Sequence, residues 1–265
     1  MIRIREYIQK RGKSVEGHAF YRWLEDPYVP VKDKFIFAPV FVNFIMGFSD
    51  MNKWFMRYPN PKTALEHILN EHTDEDQTHS RLFLSDWKKV GLNETLEWTP
   101  SKTLEWYYAA KETEIFREYG FEIMKMCVLF PEPELRFAYM EAIEECGHIF
   151  FTRTCSIALE LSKTTGLDYK YFGPYHLARE SGHLQADTDQ LENNQWDMSL
   201  EEIACKLIDY IFQMFETENT HLLNYAQTKS SVKTSYHNTP DLTPYSSDLE
   251  RLRNHQHIQV TYPYP

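Results

Sequence analysis

Glycine is scarce in this chain, with nine residues among 265. That scarcity disfavours a turn-rich all-β architecture, which needs positive-φ residues at many tight turns. Cysteine is scarcer still, at four. None of Cys127, Cys146, Cys155 and Cys205 forms a C-x-x-C pair, and all sit in apolar, helical-looking stretches. They read as buried free thiols, not as a disulfide frame or a zinc site. No apolar run approaches the roughly 20 residues of a membrane span. The best candidate, residues 35–48, is shorter and holds Pro39, Asn43 and Gly47. The first residues lack an apolar signal-peptide core, so a reducing cytoplasm is the expected location. Runs of Lys and Arg are missing as well. The formal charge is −11, which repels polyanions, so neither nucleic acid nor an anionic membrane is an expected partner.

Aromatic residues are abundant, at 15% of the chain. This length and interior payload suffice for one large hydrophobic core. Hydrophobic spacing and Pro/Gly punctuation predict an all-α protein of about seven helices with no strand. Helix is expected over residues 2–25, broken near Gly12–Gly17, and over 35–56. A long helix is expected from the cap Thr63 to Lys88–Lys89, ending at Gly91. Ser101 is read as the cap of a helix running to about Gly120, with a further apolar stretch to Leu129. A single long helix should cover 134–161, another 171–191, and a last one 200–225 after a Ser199 cap. Residues 1–227 thus form a single helical domain. Residues 228–265, rich in Ser, Thr, Pro, Tyr and Asn, form a polar irregular C-terminal tail. That long tail suggests a homodimer.

Three polar clusters lie on three separate predicted helices. The first spans Asn70 to His79. Glu75 and His79 are i,i+4 and share a face, with Glu71 one turn earlier and His72 and Asp76 close by. A solvated acidic face would look the same. The second holds Glu141, Glu144, Glu145 and His148. Glu145-x-x-His148 has a spacing used in di-iron bundles, and Glu144 with His148 is also compatible. Neighbours Tyr139, Met140, Ile143, Ile149, Phe150 and Phe151 leave little wet surface, so at least one carboxylate should point inward. The third is His176-x-x-x-Glu180-x-x-His183. Offsets of four and seven lie about 40° and about 20° from the start of a helical stripe, which aligns all three side chains. An exposed helix with surface histidines is the bland alternative. Taken together, the clusters offer a mixed N/O set of about six ligands, which suits two iron ions, or manganese, better than zinc.

These residues resemble the haem-oxygenase-like di-iron oxidases and oxygenases. Members place a Glu and a downstream His on one core helix, a Glu on the next and H-x-x-x-D/E-x-x-H on a third. The similarity extends from about His18 to Tyr225. It includes His18-Ala-Phe-Tyr-Arg-Trp-Leu, which is similar to the family's opening motif, and Arg81-Leu82-Phe83 after His79. The resemblance implies a seven-helix haem-oxygenase-like bundle. One metal would take Glu75 (or Glu71), His79 and Glu180, and the other Glu144, His176 and His183. Glu144 is preferred over Glu141 and Glu145 because its separation from His176 is similar to the family's. His148 would be an extra polar group near the site, and His72, like Glu71, Glu141 and Glu145, is a further candidate for a ligand or a partner of one. The implied reaction is reductive activation of O2 to oxidise a small organic substrate. A metal-free hydrolase on the same scaffold, with Cys146 as nucleophile, and a non-catalytic metal-binding protein are the alternatives. Tyr107, Tyr108, Phe116, Phe121 and Met124 read as plain core before pocket lining, and Lys111 and Arg117 as a solvated face.

Overall fold

Caps and chain breaks set the helix ends, and most of them act where the residue types predict. The structure is a computed structural model that describes residues 4–179 and 198–237. Ten α-helices lie wholly within that range, and no strand occurs among the described residues. They are α1 (Ile4–Val15), α2 (Ala19–Glu25), α3 (Ala38–Met51), α4 (Ala64–Asp76), α5 (His79–Val90), α6 (Leu92–Leu96), α7 (Pro100–Tyr108), α8 (Glu114–Leu129), α9 (Pro133–Thr165) and α10 (Met198–Lys229). Residues 174–179 are also helical. Thr63 caps α4 in a reciprocal box: its hydroxyl accepts the Glu66 amide at 3.2 Å, and its own amide donates to Glu66 Oε2 at 2.9 Å. Gly91 ends α5 at φ 81°, a left-handed position that glycine adopts without strain.

The helices outnumber the seven expected because two long ones are interrupted, the 2–25 helix is split into α1 and α2 at its expected break, and a short helix, α6, follows Gly91. The predicted 63–89 helix breaks after Asp76. There the Thr78 hydroxyl donates to the Glu75 carbonyl at 2.8 Å and the Gln77 amide side chain to the Asp74 carbonyl at 3.2 Å. These side chains satisfy carbonyls that the helix would otherwise bond, so the backbone can turn and restart at His79. The predicted 101–120 helix, whose cap is Thr99 instead of Ser101, breaks at Ala109–Ala110. Arg117 holds that break by donating to the carbonyls of Tyr107 and Ala110 at 3.2 and 3.1 Å and to Thr113 Oγ1 at 2.5 Å. It is thus a half-buried staple and not part of a solvated face. Phe116 is core as expected, but Tyr108 and Phe121 are exposed.

The long helix α9 is the hub. It packs on α10, α1, α2 and α4. Phe20, Phe37, Phe150 and Phe172 interlock near its middle, with Phe20 edge-on to Phe37 at 5.2 Å. Each such ring contributes roughly 1.5–3 kcal/mol by burial, ample to hold α9 central while it carries carboxylates. Cys127, Cys146, Cys155 and Cys205 are free thiols, and the first three are buried. No helix among the described residues is long and apolar enough to cross a membrane.

The start of the tail folds back on the body. Ser231 donates to Asp33 Oδ2 from its hydroxyl and its amide, at 2.7 and 3.1 Å, and the Tyr236 hydroxyl donates to Asp26 at 3.1 Å. The rest of the expected tail, 238–265, and most of the predicted 171–191 helix lie outside the described residues.

Candidate metal centre

The break between α4 and α5 brings two imidazoles and a carboxylate to the flank of α9. His72 and Asp76 lie one turn apart on α4, both buried. Glu144 meets them from α9, also buried. His72 Nε2 lies 3.0 Å from Glu144 Oε1 and 3.4 Å from Asp76 Oδ2. One ligand atom from each of the three lies within 4.8 Å of the others, a spacing that one metal ion can bridge.

His79, the first residue of α5, continues the cluster. Its Nδ1 is 3.7 Å from Asp76 Oδ1 and 3.1 Å from Nε2 of His176. The His176 Nδ1 lies 2.9 Å from the Tyr171 carbonyl, which only accepts, so Nδ1 carries the proton. Nε2 of His176 is then a lone pair, and His79 Nδ1 must donate to it. That assignment leaves Nε2 of His79 unprotonated, buried and without a hydrogen-bond partner. Burial pushes the His176 imidazole well below its usual range, with His79 adding to the effect. Burial likewise lowers His79, against the opposing pull of Asp76 and Glu144. Both rings are therefore neutral near pH 7, the state in which imidazole ligates a metal.

The donor set fits a transition metal. A buried lone pair on His79 and two Asp76 oxygens that receive no hydrogen bond are costly unless a cation joins them. Two carboxylates with three imidazoles make a mixed N/O set, which suits iron or manganese. A cavity of about 50 Å³ opens beside it, with His79, Glu144 and His176 in its wall. Phe41, Phe44 and Phe48 of α3, Phe150 and Phe151 of α9 and Phe215 of α10 form the remainder of that wall with other apolar side chains. This volume holds a diatomic gas or a few waters, at roughly 10–15 Å³ of such space each.

Not every residue singled out from the sequence comes here. Glu144, His79 and His176 do, and His72 joins them as a full member. Glu71 is exposed. Glu75 turns to Arg179, 3.0 Å from its Nε. Asp76, one residue on, is the carboxylate of that turn that faces the histidines. Glu145 points the other way, to α1. A Cβ on Gly12 would come within 2.5 Å of its Oε1 and displace the end of that side chain. His148 is half-buried, with Arg153 and Glu16 nearby. Glu141 is buried one turn before Glu144. Glu180 and His183 lie outside the described residues. Asp76 had a signal in the sequence: Asp76-x-x-His79 has the same i,i+3 spacing as Glu145-x-x-His148. Cys146 is fully buried, and burial, with Glu145 and Glu218 nearby, drives its thiol well above the usual range. A nucleophilic cysteine needs the opposite.

No protein-family model matches the chain, and a search of curated proteins found no similar sequence.

Proposed function

We propose that this chain is a non-haem di-iron oxidase or oxygenase that uses O2 to oxidise a small organic substrate. One observation carries the reading: five buried metal-type ligands from α4, α5, α9 and the 174–179 helix converge beside an aromatic cavity. His72, Asp76 and Glu144 would hold one iron. His79 and His176 would serve the second, and the resemblance assigns Glu180 to the metal of His79 and His183 to the metal of Glu144 and His176. When bound, ferrous ions supply the electrons that reduce O2 and the oxidising power to attack a C–H or N–H bond.

The chain's own residues do the remainder. Phe41, Phe44, Phe48 and Phe151 keep bulk water from the ligand atoms, which strengthens every electrostatic contact there. The Tyr171 carbonyl holds the proton of His176 at Nδ1, so that Nε2 faces the cluster as a lone pair. Asp76 lies between His72 and His79 and is placed to serve both halves of the site. Its Oδ2 faces His72 and its Oδ1 faces His79, so Asp76 would help hold metal on either side.

The test is anaerobic loading with Fe(II), a count of iron per chain, and exposure to O2 while the absorbance is followed. About two irons per chain and an O2-dependent visible change, both lost in Glu144→Ala, support the proposal. A chain that takes up no iron above a desalted control sinks it.

A further inference from the structure

Seven residues along α5 from His79 stands Asp86, which places it on the same face of the helix. Asp86 is fully buried. Its carboxylate takes three consecutive backbone amides of the irregular connection after α9. Oδ1 accepts from Lys170 N at 3.0 Å, and Oδ2 accepts from Tyr171 N at 2.7 Å and Phe172 N at 3.1 Å. The ammonium of Lys89, 3.8 Å from Oδ1, supplies countercharge. A carboxylate that takes three amides in a row holds the loop through charge-assisted hydrogen bonds.

The Phe172 N–H and the Tyr171 C=O belong to one peptide plane. The N–H end of that plane is on Asp86, and the C=O end is 2.9 Å from His176 Nδ1. The planar peptide cannot turn one end without the other. A carboxylate on the N–H end also polarises the carbonyl and makes it a better acceptor for the imidazole proton. The loop is held from its other sides too. The Phe172 ring stacks on Phe35 at 4.5 Å, and the Tyr171 ring is edge-on to Phe83 at 5.2 Å. At Gly173 a Cβ would come within 2.0 Å of the Tyr169 carbonyl oxygen, so the turn into the 174–179 helix requires glycine.

We propose that Asp86 is the positioning residue for His176. Acting through the Tyr171–Phe172 peptide, it sets the Nδ1–H tautomer and aims Nε2 at His79. Its consequence for metal binding rests on the di-iron reading, but the tautomer itself does not. The relay is equivalent to an aspartate–histidine pair with one peptide unit inserted between them, and it lets α5 govern both neighbouring imidazoles. His79 is carried directly on its first turn, and His176 is governed at a distance from Asp86, two turns on.

The full-length metal-free chain, labelled with 15N, tests this by long-range 1H–15N correlation of its imidazoles. Wild type should show His176 protonated at Nδ1 alone. Asp86→Asn exchanges one acceptor oxygen for a donor NH2, which opposes the loop amides. It should move His176 toward a tautomer mixture while His18 keeps its pattern. Asp33→Asn, which alters a buried carboxylate that accepts hydrogen bonds from Ser231 at the start of the tail, should leave His176 unchanged. An unaltered His176 pattern in Asp86→Asn, or an equal change in Asp33→Asn, overturns the proposal. If Asp86→Asn does not fold, wild type still decides: a through-hydrogen-bond coupling from the Phe172 amide nitrogen to the Asp86 carboxyl carbon is required, and its absence is fatal. In metal titrations with Co(II), Asp86→Asn should bind the second ion about 10–100-fold more weakly, the usual effect of losing a group that orients a ligand. A chain that takes up no metal but shows the Asp86-dependent tautomer rejects the di-iron reading and supports the positioning role. A chain that loads iron with a His176 tautomer indifferent to Asp86 does the reverse.

Discussion

His72 of α4 reaches Glu144 of α9 at 3.0 Å, and this contact joins two helices through a pair of buried metal-type ligands. Packing alone would favour apolar residues at such a crossing, since burying a carboxylate with an imidazole seldom improves stability over a hydrophobic pair. Asp76 lies 3.4 Å from the same imidazole nitrogen, and so a second carboxylate shares it. The arrangement makes sense as a ligand set held ready by its helices.

The carboxylate of this turn can be decided by substitution. Asp76→Ala should abolish at least one iron per chain, whereas Glu75→Ala should retain both irons, because Glu75 is paired with Arg179. Iron quantified after anaerobic loading and desalting is the readout. Equal losses in the two variants would remove Asp76 from its assigned place.

Metal should also stabilise the fold. A free ion at 100 times its dissociation constant adds ~2.7 kcal/mol. For a domain of this size that is a rise in Tm of about 5–10 °C. Thermal unfolding with and without Mn(II) measures it. The rise should fall in His79→Ala and vanish in Glu144→Ala. A wild-type Tm indifferent to Mn(II), Fe(II) and Co(II) alike would argue against a metal at this cluster.

Acid should weaken the protein through His18. Its Nδ1 accepts the Phe20 amide at 3.1 Å and so caps α2, while its Nε2 lies 3.2 Å from Thr220 Oγ1. Burial, with Arg22 close by, lowers its pKa to about 4 from the usual 6.5. The unfolded chain therefore binds this proton first as pH falls. Stability from this residue is complete above pH 6.5, declines as pH falls to about 4 and is level below it. The loss is on the order of 3 kcal/mol. His18→Asn keeps a capping oxygen with no titration, so its urea stability should lack this acid limb. A limb of unchanged size in the variant would show that other groups cause it.

Glu218 should produce the opposite slope. Both its oxygens are buried without a hydrogen-bond partner, and burial raises its pKa well above the ordinary range. The folded chain holds this proton after the unfolded chain has released it. Stability thus declines as pH rises above the unfolded pKa of about 4.3, by at most ~1.4 kcal/mol per pH unit. Glu218→Met should be more stable than wild type at pH 8, with the advantage shrinking toward pH 5. Denaturation midpoints at the two pH values check this, and an advantage independent of pH would contradict it.

Much of the helical plan was legible in the residues. The Thr63 cap, the Gly91 ending and the unbroken span of α9 follow from local chemistry that acts within a few residues. The buried face of α9 was legible too, because a carboxylate flanked by Ile143, Phe150 and Phe151 has little access to water. That face left Glu141, Glu144 and Glu145 open, and only the resemblance, through the separation from His176, singled out Glu144. The register of Glu75 with His79 did not survive, since it presumed one continuous helix. Thr78 and Gln77 end α4 and the chain restarts at His79, so the 100° per residue count loses its phase across the break.

By itself, then, the amino-acid sequence determined an all-helical protein, thiols kept from disulfides, and imidazoles and carboxylates borne on apolar helices. Each of these depends on composition or on contacts between near neighbours in the chain. Only the tertiary structure decided that Asp76 and His72 face Glu144, that Glu145 turns to Gly12, and that Asp86 controls the loop before His176. Those choices depend on the rotation and mutual approach of whole helices. Asp86 and Phe172 lie far apart along the chain, and no local rule relates them until α5 and the loop after α9 are packed together.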